Sequence, residues 1–217
     1  MGLSIEMSRV KYPRIPHLPW SSGRSDDDIA LDSIEHFERL HDVVVTEKLD
    51  GENTTLYCDY LHARSLDSKT HPSRDWIKQF HAKIRRDIPQ DFRICGENLY
   101  AKHSIFYDAL TTYFYVFAIF QEDTCLSWDE TVEWSQLLGL ETVPVLYRGQ
   151  WDETAIKACW TGKSVFGKDQ EGYVVRNANR FKFEDFRNNT AKYVRANHVT
   201  TDQHWMHEAI IPNQLAA

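Results

Sequence analysis

The sequence has few cysteines, and no two of them lie close together. Its 217 residues include Cys58, Cys95, Cys125 and Cys159, and none of these forms a CxxC motif. A CxxC motif is the usual mark of a structural zinc site, so that class of site is disfavoured. Scattered thiols are typical of unpaired cysteines, and we expect a reducing, cytoplasmic compartment.

Long apolar runs and an excess of positive charge are absent as well. The longest apolar segment, Tyr113 to Phe120, is far too short to cross a bilayer. Pro13, Pro16 and Pro19 interrupt the N-terminal region where a signal peptide would need an apolar core. The formal charge is −7 at pH 7, so nucleic acid would have to bind local basic surface and not an overall positive field.

Short strand-like and helix-like segments alternate along the chain, which predicts an α+β fold with mostly antiparallel strands. We expect three parts. Residues 1–40 form a Pro-rich arm and a helix, over Asp26 to Leu40, that pack on the core; residues 41–197 form the main domain; and residues 198–217 form a short tail.

The predicted elements of the main domain begin with two strands, Val43 to Glu47 and Thr54 to Tyr60, which the turn Leu49 to Asn53 joins as a hairpin. Further strands are expected at Leu61–Ser65, Phe92–Leu99, Tyr113–Phe120, Val143–Leu146, Tyr173–Arg176, Phe181–Phe183 and Ala191–Arg195. Helices are expected after Pro72, from the capping box at Ser127 to Leu138, and over Asp152–Trp160.

Lys48 ends the first of these strands, in the run Glu47-Lys48-Leu49-Asp50-Gly51. The glycine lets the backbone turn sharply, so the amine is presented at the rim of a sheet. At an ordinary pKa of about 10.4, roughly one lysine in 2,500 is neutral at pH 7. A nucleophilic Lys48 therefore requires surroundings that lower its pKa, such as cations and burial.

Five further segments follow Lys48 in order along the chain. They are Ala63-Arg64-Ser65, Cys95-Gly96-Glu97-Asn98-Leu99, Tyr115-Val116-Phe117-Ala118, Glu171-Gly172-Tyr173-Val174-Val175-Arg176 and Ala191-Lys192-Tyr193-Val194-Arg195. With Lys48-Leu49-Asp50-Gly51 they resemble motifs I, Ia, III, IIIa, IV and V of the covalent nucleotidyltransferases. The similarity spans residues 43–197 and is nearest to ATP-dependent RNA ligases of the nick-sealing type.

The resemblance implies an adenylation domain of the ligase kind, ATP-grasp-like, with antiparallel sheets, flanking helices and no OB-fold domain. It also implies ATP and Mg²⁺ or Mn²⁺ as cofactors, with AMP carried covalently on Lys48. The implied roles are Lys48 as nucleophile, Arg64 on the α-phosphate, Glu97 on a ribose hydroxyl, Phe117 stacked on adenine, Glu171 on the metal, and Lys192 on the triphosphate. Lys192, Arg64 and the metal are the cations expected to lower the pKa of Lys48.

Several site assignments stay open. Motif V usually reads Lys-x-Lys, so Lys182 competes with Lys192, and Arg195 is a candidate second cation. Asn53 matches an asparagine that binds a metal-coordinated water in the nick-sealing group. Asp50 is a further metal candidate, and Glu47 joins the nucleotide-binding set.

Phe117 has an alternative interpretation as an ordinary core residue. Tyr115 and Ile119 share its strand face if the strand alternates regularly with a period of two.

The substrate implied by the resemblance is a pair of RNA ends or a nicked duplex, which must meet cations. The densest basic stretch comprises Arg74, Lys78, Lys83, Arg85 and Arg86, to which Arg187 and Arg195 could add. We expect a monomer, and an end-healing kinase or phosphatase is a candidate partner.

Two rival classes remain at this stage. The first is a minimal DNA ligase or a guanylyltransferase, and the second is a non-catalytic nucleotide- or RNA-binding module. The residues after Arg195 are too few for an OB barrel. His198, His204 and His207 lie there, and we favour ordinary histidines over a metal site because their spacing is loose.

Overall fold

The computed structural model describes residues 8–67, 70–196 and 209–217. The strands are β1 (Val43–Lys48), β2 (Glu52–Leu56), β3 (Leu61–Ala63), β4 (Phe92–Asn98), β5 (Phe114–Gln121), β6 (Thr124–Cys125), β7 (Glu141–Thr142), β8 (Val145–Gly149), β9 (Gly172–Asn177), β10 (Phe181–Lys182) and β11 (Thr190–Val194). The helices are α1 (Glu35–Glu38), α2 (Asp75–Ile84), α3 (Trp128–Leu137), α4 (Glu153–Ala158) and α5 (Phe186–Asn189), with 3-10 turns at Pro72–Arg74 and Phe183–Asp185.

The strands form two sheets. The first has the order β11-β9-β1-β8, and the second has the order β10-β6-β5-β4-β2-β3, with β7 beside β5. Every pairing between named strands is antiparallel except that of β7 with β5. The α+β prediction is confirmed, and the predicted strands and helices of residues 41–197 are present with ends shifted by a few residues.

Apolar side chains fill three layers. Val44 of the first sheet and Tyr115 of the second belong to one cluster, which lies between the sheets. Val43 and Val45, which alternate with Val44 along β1, pack on the other face of the first sheet with the N-terminal arm. The outer face of the second sheet packs against α2 and α3. The strand β1 is therefore buried on both faces, as its run of three valines indicates.

The predicted hairpin between the first two strands is wrong. β1 pairs with β8 and β9, whereas β2 pairs with β3 and β4, so the intervening turn carries the chain from one sheet to the other. Gly51 does not adopt a positive φ. It is needed because a Cβ there would lie 2.5 Å from the carbonyl oxygen of Asn98.

The predicted helix over residues 26–40 is also wrong, since only Glu35–Glu38 is helical. The backbone of this segment bonds to the arm instead of to itself. His17 N–H donates to the carbonyl of Ile29 at 2.7 Å, and Leu31 N–H donates to the carbonyl of His17 at 2.9 Å. These long-range bonds replace the helical ones that the apolar spacing predicted.

The N-terminal arm covers the edge of the first sheet at β11. Lys192 N–H donates to the Pro16 carbonyl at 2.9 Å, and Leu18 N–H donates to the Lys192 carbonyl at 2.8 Å. Trp20 Nε1 donates to the Tyr173 hydroxyl at 2.9 Å. The arm thereby satisfies backbone groups that an open sheet edge would leave exposed.

The last residues pack beneath the turn that follows β1. Asn213 is buried, and its Nδ2 donates to the Leu99 carbonyl at 2.7 Å while its Oδ1 accepts from Tyr107 N–H at 2.9 Å. The Tyr107 hydroxyl in turn accepts from Asp50 N–H at 2.8 Å. The C-terminal segment therefore supports the turn beside Lys48. In the described ranges, no helix has the length and apolar character needed to cross a bilayer.

Replacing Asn213 by alanine should destabilise the protein by about 2 kcal/mol or more, because two buried backbone groups would lose their partners. Thermal unfolding should show a fall in Tm of roughly 5 °C. Gln214→Ala, at an exposed neighbouring position, is the matched control and should leave Tm unchanged. Equal Tm values for the two variants would refute the supporting role.

Candidate active site

A cavity of about 1040 Å³ lies between the two sheets. Its walls carry most of the residues that the sequence singled out. Those contributed by the strands and the turn after β1 are Glu47, Lys48, Asp50, Asn53, Glu97, Phe117 and Lys192. Glu171 lies directly before β9, and Arg64 lies directly after β3. A volume of this size suits a nucleotide-sized ligand.

Strand register explains why the basic residues of the first sheet meet in the cavity. Thr46 of β1 and Lys192 of β11 are both paired with Val174 of β9. Side chains on one face of a sheet recur every second residue, so Lys48 lies one same-face step from Thr46. Three strands distant in sequence thus place two lysines on one sheet face.

The Lys48 amine forms an ion pair inside this cavity. Its Nζ lies 2.5 Å from Glu171 Oε2, and the two side chains are 27% and 7% exposed. Burial alone would lower the pKa of Lys48, but the Glu171 and Glu97 carboxylates outweigh it and raise that pKa. Lys192 and Arg64 therefore do not by themselves produce the predicted lowering of this pKa, because neighbouring acids dominate. The effect of the metal, the third cation named for this role, stays a prediction.

The pKa values of both acids, Glu97 and Glu171, are raised in this cavity. Burial, together with the nearby charge of Glu171, raises the pKa of Glu97 to about 8, against the opposing effect of Lys48. Burial likewise raises the pKa of Glu171 to about 7. Two buried acids whose charged forms are disfavoured make a site that an additional cation would stabilise.

Lys192, and not Lys182, lies in the cavity wall. Burial, with the nearby charges of Lys48 and Arg64, lowers the pKa of Lys192 to about 8. The Lys182 amine pairs with Asp123 at 2.9 Å and does not line the cavity. Arg195 does not line the cavity either, although its backbone N–H donates to the backbone carbonyl of Glu171 at 2.9 Å. The geometry therefore favours Lys192 of the alternatives.

Phe117 reaches the cavity through a β-bulge. Cys95 pairs with Ala118 and the next residue, Gly96, pairs with Val116, so Phe117 has no partner in the ladder. Phe117 and Ala118 both line the cavity, whereas Ile119 packs in the outer cluster. The expectation that Ile119 shares the face of Phe117 is wrong, because the bulge shifts the alternation by one residue.

The side chains of Asn53, Asp50 and Glu47, three further predicted site residues, have different hydrogen-bond partners. Asn53 lines the cavity, and its Oδ1 is buried without a hydrogen-bond partner in the described chain. Asp50 Oδ2 accepts three hydrogen bonds, from Ser104 N–H at 2.8 Å, from the Ser104 hydroxyl at 2.6 Å and from Ile105 N–H at 2.8 Å. Because this oxygen is already bonded to a loop, the geometry argues against Asp50 as a metal ligand. Glu47 Oε2 accepts from Val165 N–H at 3.0 Å, so this carboxylate holds a loop.

The basic residues near the cavity lie in three different surroundings. Arg64 is exposed at the cavity rim. Arg74 is buried and forms a two-pronged pair with Glu52, at 2.7 and 2.6 Å, so it is not available to RNA as the sequence predicted. The others on α2 or just beyond it, Lys78, Lys83, Arg85 and Arg86, line a separate shallow cleft.

Sequence reasoning missed the contribution of the N-terminal arm. Tyr12 and Ile15 line the cavity and pack on Phe117 and its neighbours, and Asp28 lies close enough to Lys192 to influence its pKa. The signal available in the sequence was the aromatic and apolar content of the Pro-rich arm. No cluster of three or more metal-ligating side chains occurs in residues 8–67, 70–196 and 209–217. His198, His204 and His207 lie outside the described residues.

Changing Gly172 to alanine should damage the site without removing any of its functional groups. A Cβ at this position would come within 1.9 Å of the Tyr193 carbonyl oxygen. This contact lies between β9, which Glu171 directly precedes, and β11, which carries Lys192. Overpacking of this kind costs about 1–3 kcal/mol or more. We expect a fall in Tm of roughly 5 °C. Gly167→Ala is the milder control, since its nearest contact would be 3.2 Å; equal unfolding temperatures would contradict the proposed close approach.

Comparison with known proteins agrees with this geometry. A family profile described as RNA ligase matches residues 41–194. An archaeal ATP-dependent RNA ligase superposes with a TM-score of 0.57 and 19% identity, over 85% of this chain and 48% of that one. A Naegleria gruberi RNA ligase mutant without ligand gives 0.54 and 19%, over 74% and 51%. Another mutant of that ligase, solved with ATP and Mn, gives 0.54 and 21%, over 76% and 52%.

The chain thus spans about half the length of these solved structures, and at such identities they establish the fold alone. The search of curated proteins found no match. The fold is that of the matched half of these RNA ligases, and no OB-fold domain is present in the described residues. Because the family profile covers most of the sequence, the chain belongs to the RNA ligase family.

Proposed function

We propose that the chain is an ATP-dependent RNA ligase that joins 5′-phosphate and 3′-hydroxyl RNA ends through AMP carried covalently on Lys48. One observation carries this proposal: the Lys48 amine lies in a nucleotide-sized cavity, 2.5 Å from Glu171 Oε2 and on the same sheet face as Lys192. A module that only binds nucleotide has no need of a lysine amine held between acids. Membership of the RNA ligase family supports the same activity.

In the first step, Lys48 Nζ attacks the α-phosphorus of ATP. The neutral amine forms a phosphorus–nitrogen bond, the bond from the α-phosphorus to the bridging oxygen breaks, and pyrophosphate leaves. The proton that the nitrogen then loses passes to water. Lys192 and Arg64 stabilise the charge that develops on the phosphates, because both cations line the cavity. Glu171 orients the amine through their ion pair.

The next two steps return Lys48 to its starting form. A 5′-phosphate oxygen of RNA attacks the α-phosphorus of the lysyl-AMP, the phosphorus–nitrogen bond breaks, and an adenylylated RNA end results. A 3′-hydroxyl then attacks the RNA 5′-phosphorus and displaces AMP, so a phosphodiester forms. The protein's contribution is positioning and charge stabilisation, as in other phosphoryl transfers.

The oxygen-bearing side chains in the cavity wall are suited to holding a divalent cation. Glu171 and Glu97 lie in the cavity wall, and their pKa values are raised by burial first and by neighbouring acidic charges second. Asn53 Oδ1 is buried without a partner among the described residues. Mg²⁺ and Mn²⁺ prefer such oxygen donors, together with phosphate oxygens and water. A cation held there would neutralise the two acids that raise the pKa of Lys48.

RNA ends would approach over local basic surface. Arg64 and Arg14 are exposed at the cavity rim, and both belong to its lining. The shallow cleft lined by Lys78, Lys83, Arg85 and Arg86 is a second positive surface. Since phosphate contacts supply sequence-independent affinity, these surfaces suit a strand bound without base readout.

The pH dependence of lysine adenylylation should reveal both cavity lysines. Only neutral Lys48 attacks, and its pKa is raised, so kcat/KM should rise with pH. The pKa of Lys192 is lowered to about 8, so above that pH its charge is lost and the rise should level off. In Lys192→Arg, which stays charged, the rise should continue beyond pH 8. Identical profiles for the two proteins would contradict this assignment.

The proposed function is tested by incubating the purified protein with ATP and Mg²⁺ and measuring its intact mass. We expect an increase of one adenylate that survives denaturation and is released by acid. Addition of nicked RNA should discharge the adenylate and seal the nick. A DNA-specific ligase would seal only nicked DNA, a guanylyltransferase would take its nucleotide from GTP, and a binding module would lose AMP on denaturation; each of these results would overturn the proposal.

A further inference from the structure

The cavity has two chemically different ends. One end carries the ionic groups around Lys48 and Glu171. The other end is mainly aromatic, and the lining residues that pack together there are Tyr12, Phe117, Ala118, Cys125, Phe181 and Phe186. Arg176 also lines the cavity, with its guanidinium 5.3 Å from the centroid of the Phe181 ring. A nucleoside triphosphate has the same polarity, with phosphates at one end and a flat base at the other, and bases stack on aromatic side chains.

Tyr12 lies at the centre of the aromatic end. Its ring centroid is 4.9 Å from that of Phe117 at an interplanar angle of 64°, and 5.3 Å from that of Phe186 at 87°. Both contacts are edge-to-face, so Tyr12 restrains the orientation of the Phe117 ring. Phe117 itself occupies the bulge position of β5, where it has no Cα partner on β4.

The arm that carries Tyr12 is firmly attached to the sheet. Pro16 and Leu18 bond to both backbone groups of Lys192, at 2.9 and 2.8 Å. Val194 N–H donates to Ser21 Oγ at 3.0 Å, which extends the attachment along β11. The same short segment therefore holds Tyr12 at the aromatic end and the Lys192 backbone at the ionic end.

Tyr12 forms a wall of the cavity and does not plug it. With Tyr12 in place the cavity still measures about 1040 Å³, which is ample for a nucleotide. Tyr12 is only partly buried and belongs to the cavity lining. An autoinhibitory role would instead require the ring to fill the aromatic end.

We propose that Tyr12, from the N-terminal arm, completes the nucleobase subsite by closing its aromatic end and holding Phe117 in place for stacking. This inference rests on the proposed function and adds a binding residue from outside the segment that the family profile matches. Its consequence is that Tyr12 contributes to recognition of the base and not of the phosphates.

The test compares ATP with inorganic tripolyphosphate, which has phosphates and no base. Tyr12→Ala should raise KM for ATP in lysine adenylylation by on the order of tenfold, as expected for losing an aromatic base contact. The inhibition constant of tripolyphosphate against the same reaction should stay within about twofold, because its binding needs no base contact. Tyr12→Phe should behave like the wild type, since the ring is retained.

Phe183→Ala is the matched control, because Phe183 packs in the same aromatic cluster but does not line the cavity. It should lower Tm without changing KM for ATP. A parallel loss of ATP and tripolyphosphate binding in Tyr12→Ala, or an unchanged KM for ATP, would overturn the inference. Failure of the wild type to form any adenylate would instead refute the proposed function, so the two failures are distinguishable.

Discussion

Lys48→Arg is expected to abolish formation of the covalent adenylate while the protein stays folded. Arginine keeps the positive charge opposite Glu171, but its guanidinium is not deprotonated near neutral pH and cannot act as a nucleophile. The rate of adenylylation should fall by on the order of 10⁴-fold or more. Intact-mass measurement after incubation with ATP and Mg²⁺ would show no added adenylate.

Two controls separate loss of the nucleophile from loss of structure. Lys182→Arg changes a lysine whose amine pairs with Asp123 outside the cavity, and it should adenylylate at the wild-type rate. The Tm of Lys48→Arg should stay close to that of the wild type, because the ion pair is preserved. An acid-labile adenylate on Lys48→Arg would show that another residue carries AMP, and the central assignment would be wrong.

Lys192→Met should slow lysine adenylylation by on the order of 10²- to 10³-fold, which is typical for removing one group that stabilises transition-state charge. Methionine retains most of the apolar stem, and the two backbone bonds between Lys192 and the arm do not involve the side chain. Rapid-quench measurement of the first turnover at saturating ATP would give this rate directly.

The matched variant Lys182→Met decides between the two sequence alignments for this position. We expect it to react at the wild-type rate, because Lys182 is not part of the cavity lining. If Lys182→Met were the slow variant and Lys192→Met the normal one, the assignment of Lys192 would be incorrect. Lys192→Arg should recover much of the rate lost in Lys192→Met, since the charge is restored.

Local elements could be predicted well because their signals lie within a few residues. The capping box at Ser127 and Glu130 is present with both of its bonds, and α3 begins at Trp128 as expected. The run of valines before Lys48 is a strand, and the helix after Pro72 is present. Each depends on contacts between near neighbours along the chain, which the sequence displays directly.

Elements that depend on distant partners were predicted less well. The spacing of apolar residues over 26–40 is compatible with a helix, but bonds from His17 to Ile29 and Leu31 hold this segment in another conformation. The turn after Lys48 looks like a hairpin turn, yet its two strands belong to different sheets. In both cases, tertiary hydrogen bonds outweigh a local preference.

The sequence by itself determined which residues could form the site, through the order of Lys48, Arg64, Glu97, Glu171 and Lys192 along the chain. Tertiary structure decided the rest. It placed Lys192 and not Lys182 in the cavity wall, bonded Asp50 Oδ2 to the loop at Ile105, raised the pKa of Lys48, and brought Tyr12 to Phe117. The physical reason is that strand register, a one-residue bulge and the packing of the arm create distances and charges between segments far apart in sequence.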